Sequence, residues 1–337
     1  MAEAVGDLGA GVSREWVWIT WEKQQRNRSM SRVFECELHE IISNRARILR
    51  YLVSGARTIR ILLSRPKLVF VQNPSVVLAL LGVVVGRLLR VPIVVDAHNA
   101  ALIPLEGTSP RLMRLVARFL VRGAALTLVT NEALAEIVRR EGGAVEVLPD
   151  PFPEITCGDP YDYPDSEVSV FCVLSWADDE PFVEIMGAAA ELGPNVRVYM
   201  TGSSKGRERV YGRSLPENVV LLGYVDDAEY RRRLCGADLV VVLTTRDNCL
   251  VCGAYEAVAA GRPLMLSDTE ALREYFRDTA FYVKNDASSI ASGISRFVKW
   301  MHDRPMDSGS ERSEITRRWQ MHKAHVDVRL KAIIKAV

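Results

Sequence analysis

Short apolar runs alternate along the chain with longer stretches of helical periodicity. The runs are rich in β-branched residues and do not alternate apolar with polar, the pattern of strands buried on both faces of a parallel sheet. In the first half they predict strands at Trp16–Thr20, Lys67–Gln72, Pro92–Asp96, Leu126–Val129 and Val145–Leu148, and helices over Glu35–Ser64, Ser75–Leu89, Pro110–Arg122 and Glu132–Glu141. In the second half the strands are Val168–Leu174, Val196–Thr201, Val219–Leu222, Leu239–Thr244, Pro263–Leu266 and Thr279–Val283. The helices there are Pro181–Leu192, Ala228–Cys235, Gly253–Ala260, Ala271–Phe276 and Ala287–His302. This βαβ rhythm, run twice, predicts an α/β protein of two doubly wound, Rossmann-like domains facing a central cleft. Pro151, Pro153, Pro160 and Pro164 interrupt the periodicity and mark residues 151–165 as a linker. The expected organisation is a disordered tail over residues 1–12, domains at 13–150 and 166–305, and a helix over 306–337 that packs back through Trp319, Val326, Leu330 and Ile334.

Length and composition agree with this. A chain of 337 residues, 48% hydrophobic and 25% charged, has enough apolar material for two cores. With 43 basic and 42 acidic residues there is no global charge to favour nucleic acid. Local charge does change the picture. Arg45, Arg47, Arg50, Arg57, Arg60, Arg65 and Lys67 fall in a stretch without one acid, interleaved with Leu, Ile, Val and Tyr, and Arg111, Arg114, Arg118 and Arg122 recur at helical spacing opposite Leu115 and Phe119. Such stripes are written for an anionic membrane surface, or more simply for solvated helix faces. The longest apolar stretch, Val76–Leu89, contains Arg87 and is too short to span a bilayer. The six cysteines sit mostly inside apolar patterns and the first residues lack a signal-peptide pattern, so the expectation is a reducing cytoplasm with peripheral attachment to the inner face of the membrane.

Candidate chemistry concentrates after one strand. Leu239–Thr245 breaks into Arg246, Asp247 and Asn248. Cys252, Gly253 and Ala254 then open a helix that carries Glu256 and stops at Gly261 and Pro263. A helix that begins past the carboxyl end of a parallel strand aims N–H groups and a positive dipole end at the crevice where α/β folds bind ligands, so these residues predict an anion site. Asp96, His98 and Asn99 stand at the carboxyl end of another strand. Lys23, Arg26, Asn27 and Arg28 lie in the first strand-to-helix loop, either as substrate contacts or as a solvated surface. Cys249 and Cys252 read as small residues lining a buried turn in preference to a redox pair, and no ligand-spaced cluster predicts a metal.

The order strand, Arg246-Asp247, Gly253-Ala-Tyr-Glu256-Ala-Val-Ala-Ala-Gly261-Arg-Pro263, Ser267-Asp268, preceded by Gly202, Asn218–Val225 and Cys235-Gly-Ala-Asp238, resembles the GT-B glycosyltransferases of the family 4 (group 1) branch. The resemblance spans most of the chain. It implies that Glu256 binds the ribose hydroxyls of a UDP- or GDP-linked sugar used as co-substrate, that the amides of Cys252, Gly253 and Ala254 hold its diphosphate, and that His98 lies near the donor sugar. It also implies retention of configuration, no metal, no cofactor, and a lipid-linked or other glycan acceptor in cell-envelope polysaccharide synthesis.

Two departures from the family pattern stand out. Its first glutamate would fall at Asn248, beside Asp247, and the basic pair that normally follows the first strand of the second domain is replaced by Ser175–Pro181. Arg246, or Lys205 and Arg207 in the loop after Gly202, could supply that charge instead. The expected catalytic group is therefore His98, Arg246, Asp247 and Asn248. Rival readings are a nucleotide-sugar epimerase of similar build and an inactive nucleotide-sugar-binding scaffold.

Overall fold

The structure, a computed structural model, describes residues 13–73, 75–106, 109–165, 167–203, 215–303 and 309–336. Its contacts divide the chain into two compact units, Met1–Asp150 with His322–Val337, and Pro151–Met321.

In the first unit the strands β1 (Ser13–Thr20), β2 (Cys36–Glu40), β3 (Leu68–Asn73), β4 (Ile93–Ala97), β5 (Leu126–Val129) and β6 (Val145–Val147) form one parallel sheet in the order β2-β1-β3-β4-β5-β6. The helices are α1 (Gln25–Val33), α2 (Arg47–Leu63), α3 (Val76–Leu89), the short α4 (Asn99–Leu102), α5 (Arg111–Gly123) and α6 (Glu132–Arg140). One core holds Val69 and Val71 of β3 and Ile93 and Val95 of β4 against Leu62, Leu78, Val83 and Leu120 of α2, α3 and α5. Successive residues of a buried strand face opposite ways, and Trp18 and Phe70 accordingly stack on each other, 4.9 Å between centroids.

Two expectations fail here. The stretch Trp21–Ser29 is not all loop, because α1 begins at Gln25, and the predicted helix over Glu35–Ser64 begins with an edge strand, β2. The cause lies in the buried face of α1, which consists of Arg26, Asn27, Met30 and Ser31. Hydrophobic periodicity cannot register a helix whose inward side is mostly polar.

The second unit has β7 (Val168–Cys172), β8 (Val196–Thr201), β9 (Val219–Gly223), β10 (Leu239–Val242), β11 (Leu264–Ser267) and β12 (Phe281–Val283), parallel in the order β12-β11-β10-β7-β8-β9. Its helices are α7 (Phe182–Glu191), α8 (Asp227–Gly236), α9 (Cys252–Ala259), α10 (Glu270–Phe276) and α11 (Ala287–Asp303). Val170, Cys172 and Val241 pack with Ile185, Ile290 and Phe297 on one face; Phe171, Val240 and Val242 pack with Ala254, Tyr255 and Phe276 on the other. The last helix, α12 (Gly309–Lys335), buries Ile315 in the core of the second unit, and its later residues His322–Lys335 belong to the first, where Val326 and Leu330 are buried.

Residues 151–165 fall within the second unit, mostly exposed, and touch it at a few points. Tyr163 is buried and stacks near Tyr199 and Tyr161, and Tyr161 accepts the Arg233 guanidinium over its ring at 3.9 Å. Cys157 is disulfide-bonded to Cys235. That pairing corrects the reading of these two cysteines as members of no framework. Two cysteines 78 residues apart show no framework spacing until the chain is folded.

Candidate active site

In the first unit the functional side chains gather at the carboxyl ends of β1, β3 and β4, where the strand order reverses between β1 and β3. Arg26 reaches inward from the first turn of α1. Its Nε lies 3.0 and 3.1 Å from the Asp96 carboxylate oxygens, Nη2 lies 2.7 Å from Asp96 Oδ1, and Nη1 lies 2.5 Å from Asp150. Nη2 also donates to the Leu148 carbonyl at 3.2 Å. Burial alone would push the Asp96 carboxyl up, but the guanidinium overrides it and holds that carboxyl below its ordinary value. Asn27, fully buried, accepts from Trp18 Nε1 at 3.0 Å and donates to Thr20 Oγ1 and Gln72 Oε1. Arg28 pairs with Glu40 at 3.0 Å. Of the four residues expected as acceptor contacts on an exposed loop, Arg26 and Asn27 are therefore interior framework, Arg28 is partnered at the surface, and Lys23 is exposed.

His98 sits at the N-cap of α4, its backbone N–H donating to the Asn73 carbonyl at 2.9 Å. Its Nε2 lies 3.6 Å from Asp96 Oδ2 and has no hydrogen-bond partner, and Asn73 Oδ1 beside it is likewise buried and unpartnered. Burial pushes the imidazole pKa down against the pull of Asp96, so the ring is neutral near pH 7.

In the second unit the strand order reverses between β7 and β10, and the loops that follow these strands hold the chemistry. The loop after β7 turns on Trp176, a non-glycine residue at φ 64°, whose ring packs 5.2 Å from that of Phe182 and fills the space a side chain at Gly202 would need. That turn points the amides of Ser175 and Ala177 at one spot, and the Glu180 carboxylate occupies it. Glu180 accepts from the Ser175 N–H at 3.0 Å, the Ser175 hydroxyl at 2.9 Å and the Ala177 N–H at 2.9 Å. Such a concave run of amides is an anion seat, here filled by a side chain of the protein itself. Asp179, next in the chain, accepts from Thr244 Oγ1 at 2.9 Å and pairs with Arg246 at 3.1 Å.

Past β10, Arg246 and Asp247 are exposed and Asn248 is half-buried. The helix α9 begins at Cys252, and no side chain caps its N-terminus, whereas Asp226 and Thr269 cap α8 and α10. Gly253 lets this end lie close on the sheet, since a Cβ there would meet Val173 at 3.0 Å and Val242 at 3.2 Å. Cys252 is exposed and Cys249 half-buried, and neither is in a disulfide, so the expectation of two residues lining a buried turn is corrected for Cys252. Glu256, half-buried, accepts the hydroxyl of Tyr230 from α8. Burial raises the Glu256 carboxyl, a rise the Tyr230 bond partly offsets. Tyr230 and Glu180 are the two residues sequence reasoning missed. Neither belongs to a recognisable spacing, since each is defined by the partner it meets in space. Gly202 ends β8 at φ 122°, while Lys205 and Arg207 lie outside the described residues. Among the described residues no cluster of three or more His, Cys, Asp or Glu could hold a metal, and no helix is long and apolar enough to cross a membrane.

Two doubly wound, six-stranded parallel units flanked by helices are the architecture of the GT-B class. The chain belongs to these glycosyltransferases: residues 7–150 match the family described as glycosyl transferase 4-like domain, and residues 180–299 match glycosyl transferases group 1. Among solved structures it is similar to HepE from Anabaena in complex with UDP and glucose, with 12% identity, coverage of 94% of this chain and 99% of that one, and a TM-score of 0.72. It is also similar to α,α-trehalose 6-phosphate synthase from Burkholderia multivorans, at 16% identity, 86% and 76% coverage and a TM-score of 0.65. The lipopolysaccharide outer core galactosyltransferase WaaB follows at 11% identity, 94% and 99% coverage and a TM-score of 0.64. No protein of curated function matches the sequence significantly.

Proposed function

We propose that this glycosyltransferase moves a sugar from a UDP-sugar to a hydroxyl of a lipid-linked or other membrane-proximal glycan, with retention of configuration and without a metal. The observation that carries the reading is the placing of Glu256 beside the uncapped first turn of α9, which follows the loop after β10. An ionised carboxylate can accept both ribose hydroxyls, and the amides of Cys252 and Gly253 can take the diphosphate, whereas that of Ala254 donates to the Val251 carbonyl at 3.1 Å. Breaking the glycosidic bond leaves new charge on that diphosphate, and the helix end together with Arg246 is the preorganised counter-charge for it. His98, neutral and with one ring nitrogen unpaired, is suited to hold a sugar hydroxyl. UDP is preferred as the nucleotide because HepE was solved with UDP and with UDP-glucose.

The membrane part of the reading rests on the outer faces of α2, α3 and α5. These three helices carry nine arginines and no acid. They leave Ile48, Leu52, Leu63, Leu88, Leu112 and Leu115 each more than half exposed. Apolar surface of that extent on a soluble chain marks an interaction face, and arginine without acid suits anionic lipid.

Thermal unfolding of the purified chain with UDP-, GDP- and ADP-sugars tests the donor assignment. A UDP-sugar should raise the melting temperature of wild type and lose that effect in Glu256→Gln, because a ligand that binds only the folded form stabilises it. No shift with any nucleotide sugar would remove the reading.

A further inference from the structure

At the opposite edge of the first sheet from His98, where α2 and α3 run out ahead of β3 and β4, there is a recess of about 650 Å³ lined by Arg65, Lys67, Arg90, Leu88, Leu89 and Ile334, with Pro66, Val91 and Pro92. Its chemistry is amphiphilic. Three cations line it and no acid does; among the described residues Lys67 alone of the three is paired, with Glu15 at 2.5 Å. Its apolar side is unusually open, Leu88 being 78% exposed.

The backbone supplies an independent observation. Arg65 has φ 52° and Arg90 φ 57°, the left-handed region in which helices are normally ended by glycine. An L-residue with a side chain is strained there, yet two successive helices both end on arginine, and both arginines line the same recess. Glu35 after α1 shares this angle, so the backbone alone does not single the arginines out; what distinguishes Arg65 and Arg90 is that both place a cation on one recess. Capping the negative helix ends would account for one cation at each; it does not account for their convergence, with Lys67, on an exposed leucine floor.

We propose that this recess seats the phosphate headgroup of one anionic phospholipid, with the guanidinium groups of Arg65 and Arg90 on the phosphate and the first carbons of its chains on Leu88, Leu89 and Ile334. Arginine forks match phosphate geometry, and the recess continues the apolar faces of α2 and α3 through Leu63 and Leu88. The inference rests on the membrane reading above and adds to it a discrete, stoichiometric lipid site, removed from the sugar-transfer chemistry.

The test uses the full chain with methyl labels, titrated with dihexanoyl phosphatidylglycerol below its micelle concentration. The expected result is saturable one-site binding that shifts the Leu88 and Ile334 methyl signals. The double variant Arg65→Gly/Arg90→Gly should lose at least about tenfold in affinity without a lower melting temperature, since glycine suits both backbone positions. The matched variant Arg57→Gln/Arg60→Gln should leave this affinity unchanged. Equal loss in the two double variants, no saturable shift, or inorganic phosphate binding as tightly as the lipid would each overturn the seat. Flotation with phosphatidylglycerol vesicles separates the two levels. A wild type that ignores them sinks the membrane reading itself, whereas one that binds them and binds no short-chain lipid sinks only the seat.

Discussion

The two units are both doubly wound, in the different strand orders β2-β1-β3-β4-β5-β6 and β9-β8-β7-β10-β11-β12, and use their ligand edges in opposite ways. In the first, the polar groups at the carboxyl ends of the strands are spent on one another: Arg26 on Asp96 and Asp150, Asn27 on Trp18, Thr20 and Gln72. What that framework leaves over is small, namely His98 Nε2 and Asn73 Oδ1. In the second unit the helix α9 has no side-chain cap, and Arg246, paired with Asp179, is 58% exposed. One edge is closed on itself in the interior; the other keeps its charged groups near the surface. A mutation at the first should be read mainly in stability and one at the second mainly in turnover.

The largest expected effect tests the first half of that contrast. Arg26→Met strips the countercharge from a fully buried Asp96, and breaking a buried pair by removing one partner costs about 3–5 kcal/mol. Arg28→Met, two residues along on the same helix, removes a solvent-screened pair with Glu40 and should cost little. Urea unfolding of the two variants measures the difference; equal losses would mean that Arg26 is not the keystone its geometry implies.

Next come the two junctions of the second unit. Arg246→Ala should lower turnover by about 10²–10³-fold, the usual loss when one preorganised donor to developing charge is removed, and should leave acceptor binding nearly unchanged. Glu180→Gln should act the other way. It keeps the shape of the loop but withdraws a negative charge from an amide seat beside the Asp179–Arg246 pair, so UDP should bind tighter, by about tenfold or 1.4 kcal/mol. Calorimetry with UDP reads the second and initial rates the first. A Glu180→Gln variant with weaker UDP binding would show that the carboxylate organises the donor loop and does not compete with the donor.

Most of the strands and helices were legible because burial on both faces writes itself as unbroken apolar runs, as in Leu239–Val242 and Leu68–Val71. What was not legible shares one cause. Helix α1 hides because its inward residues include Arg26 and Asn27, whose burial depends in part on partners 45 to 124 residues away. The filled seat at Ser175 and Ala177, the Tyr230 bond to Glu256 and the Cys157–Cys235 bridge are likewise long-range or loop-conformational facts. From the chain alone, the absence of a basic pair at Ser175–Pro181 reads only as a gap; in the fold, that gap holds an acid.

The smallest effect sharpens the account of the first edge. His98 is held neutral mainly by burial, so its titration midpoint should lie below the ordinary value of about 6.5. The sign follows by linkage. As pH falls through about 6.5, the unfolded chain takes up a proton that the native His98 declines, so stability declines on the acid side of that value. Asp96 works in the same direction at lower pH. Its carboxyl is held below its ordinary value, so the stability it confers is present above about pH 3.9 and is lost as pH falls through its folded midpoint. The two groups are also coupled, since Asp96 pulls His98 up while Arg26 pushes it down. Asp96→Asn should therefore lower the His98 midpoint further, and the imidazole signals followed by NMR across pH 4 to 8 would show it. A His98 midpoint above 6.5 in wild type would place the ring in a charged hydrogen bond to Asp96, and the unpaired nitrogen assigned here to a sugar hydroxyl would already be occupied.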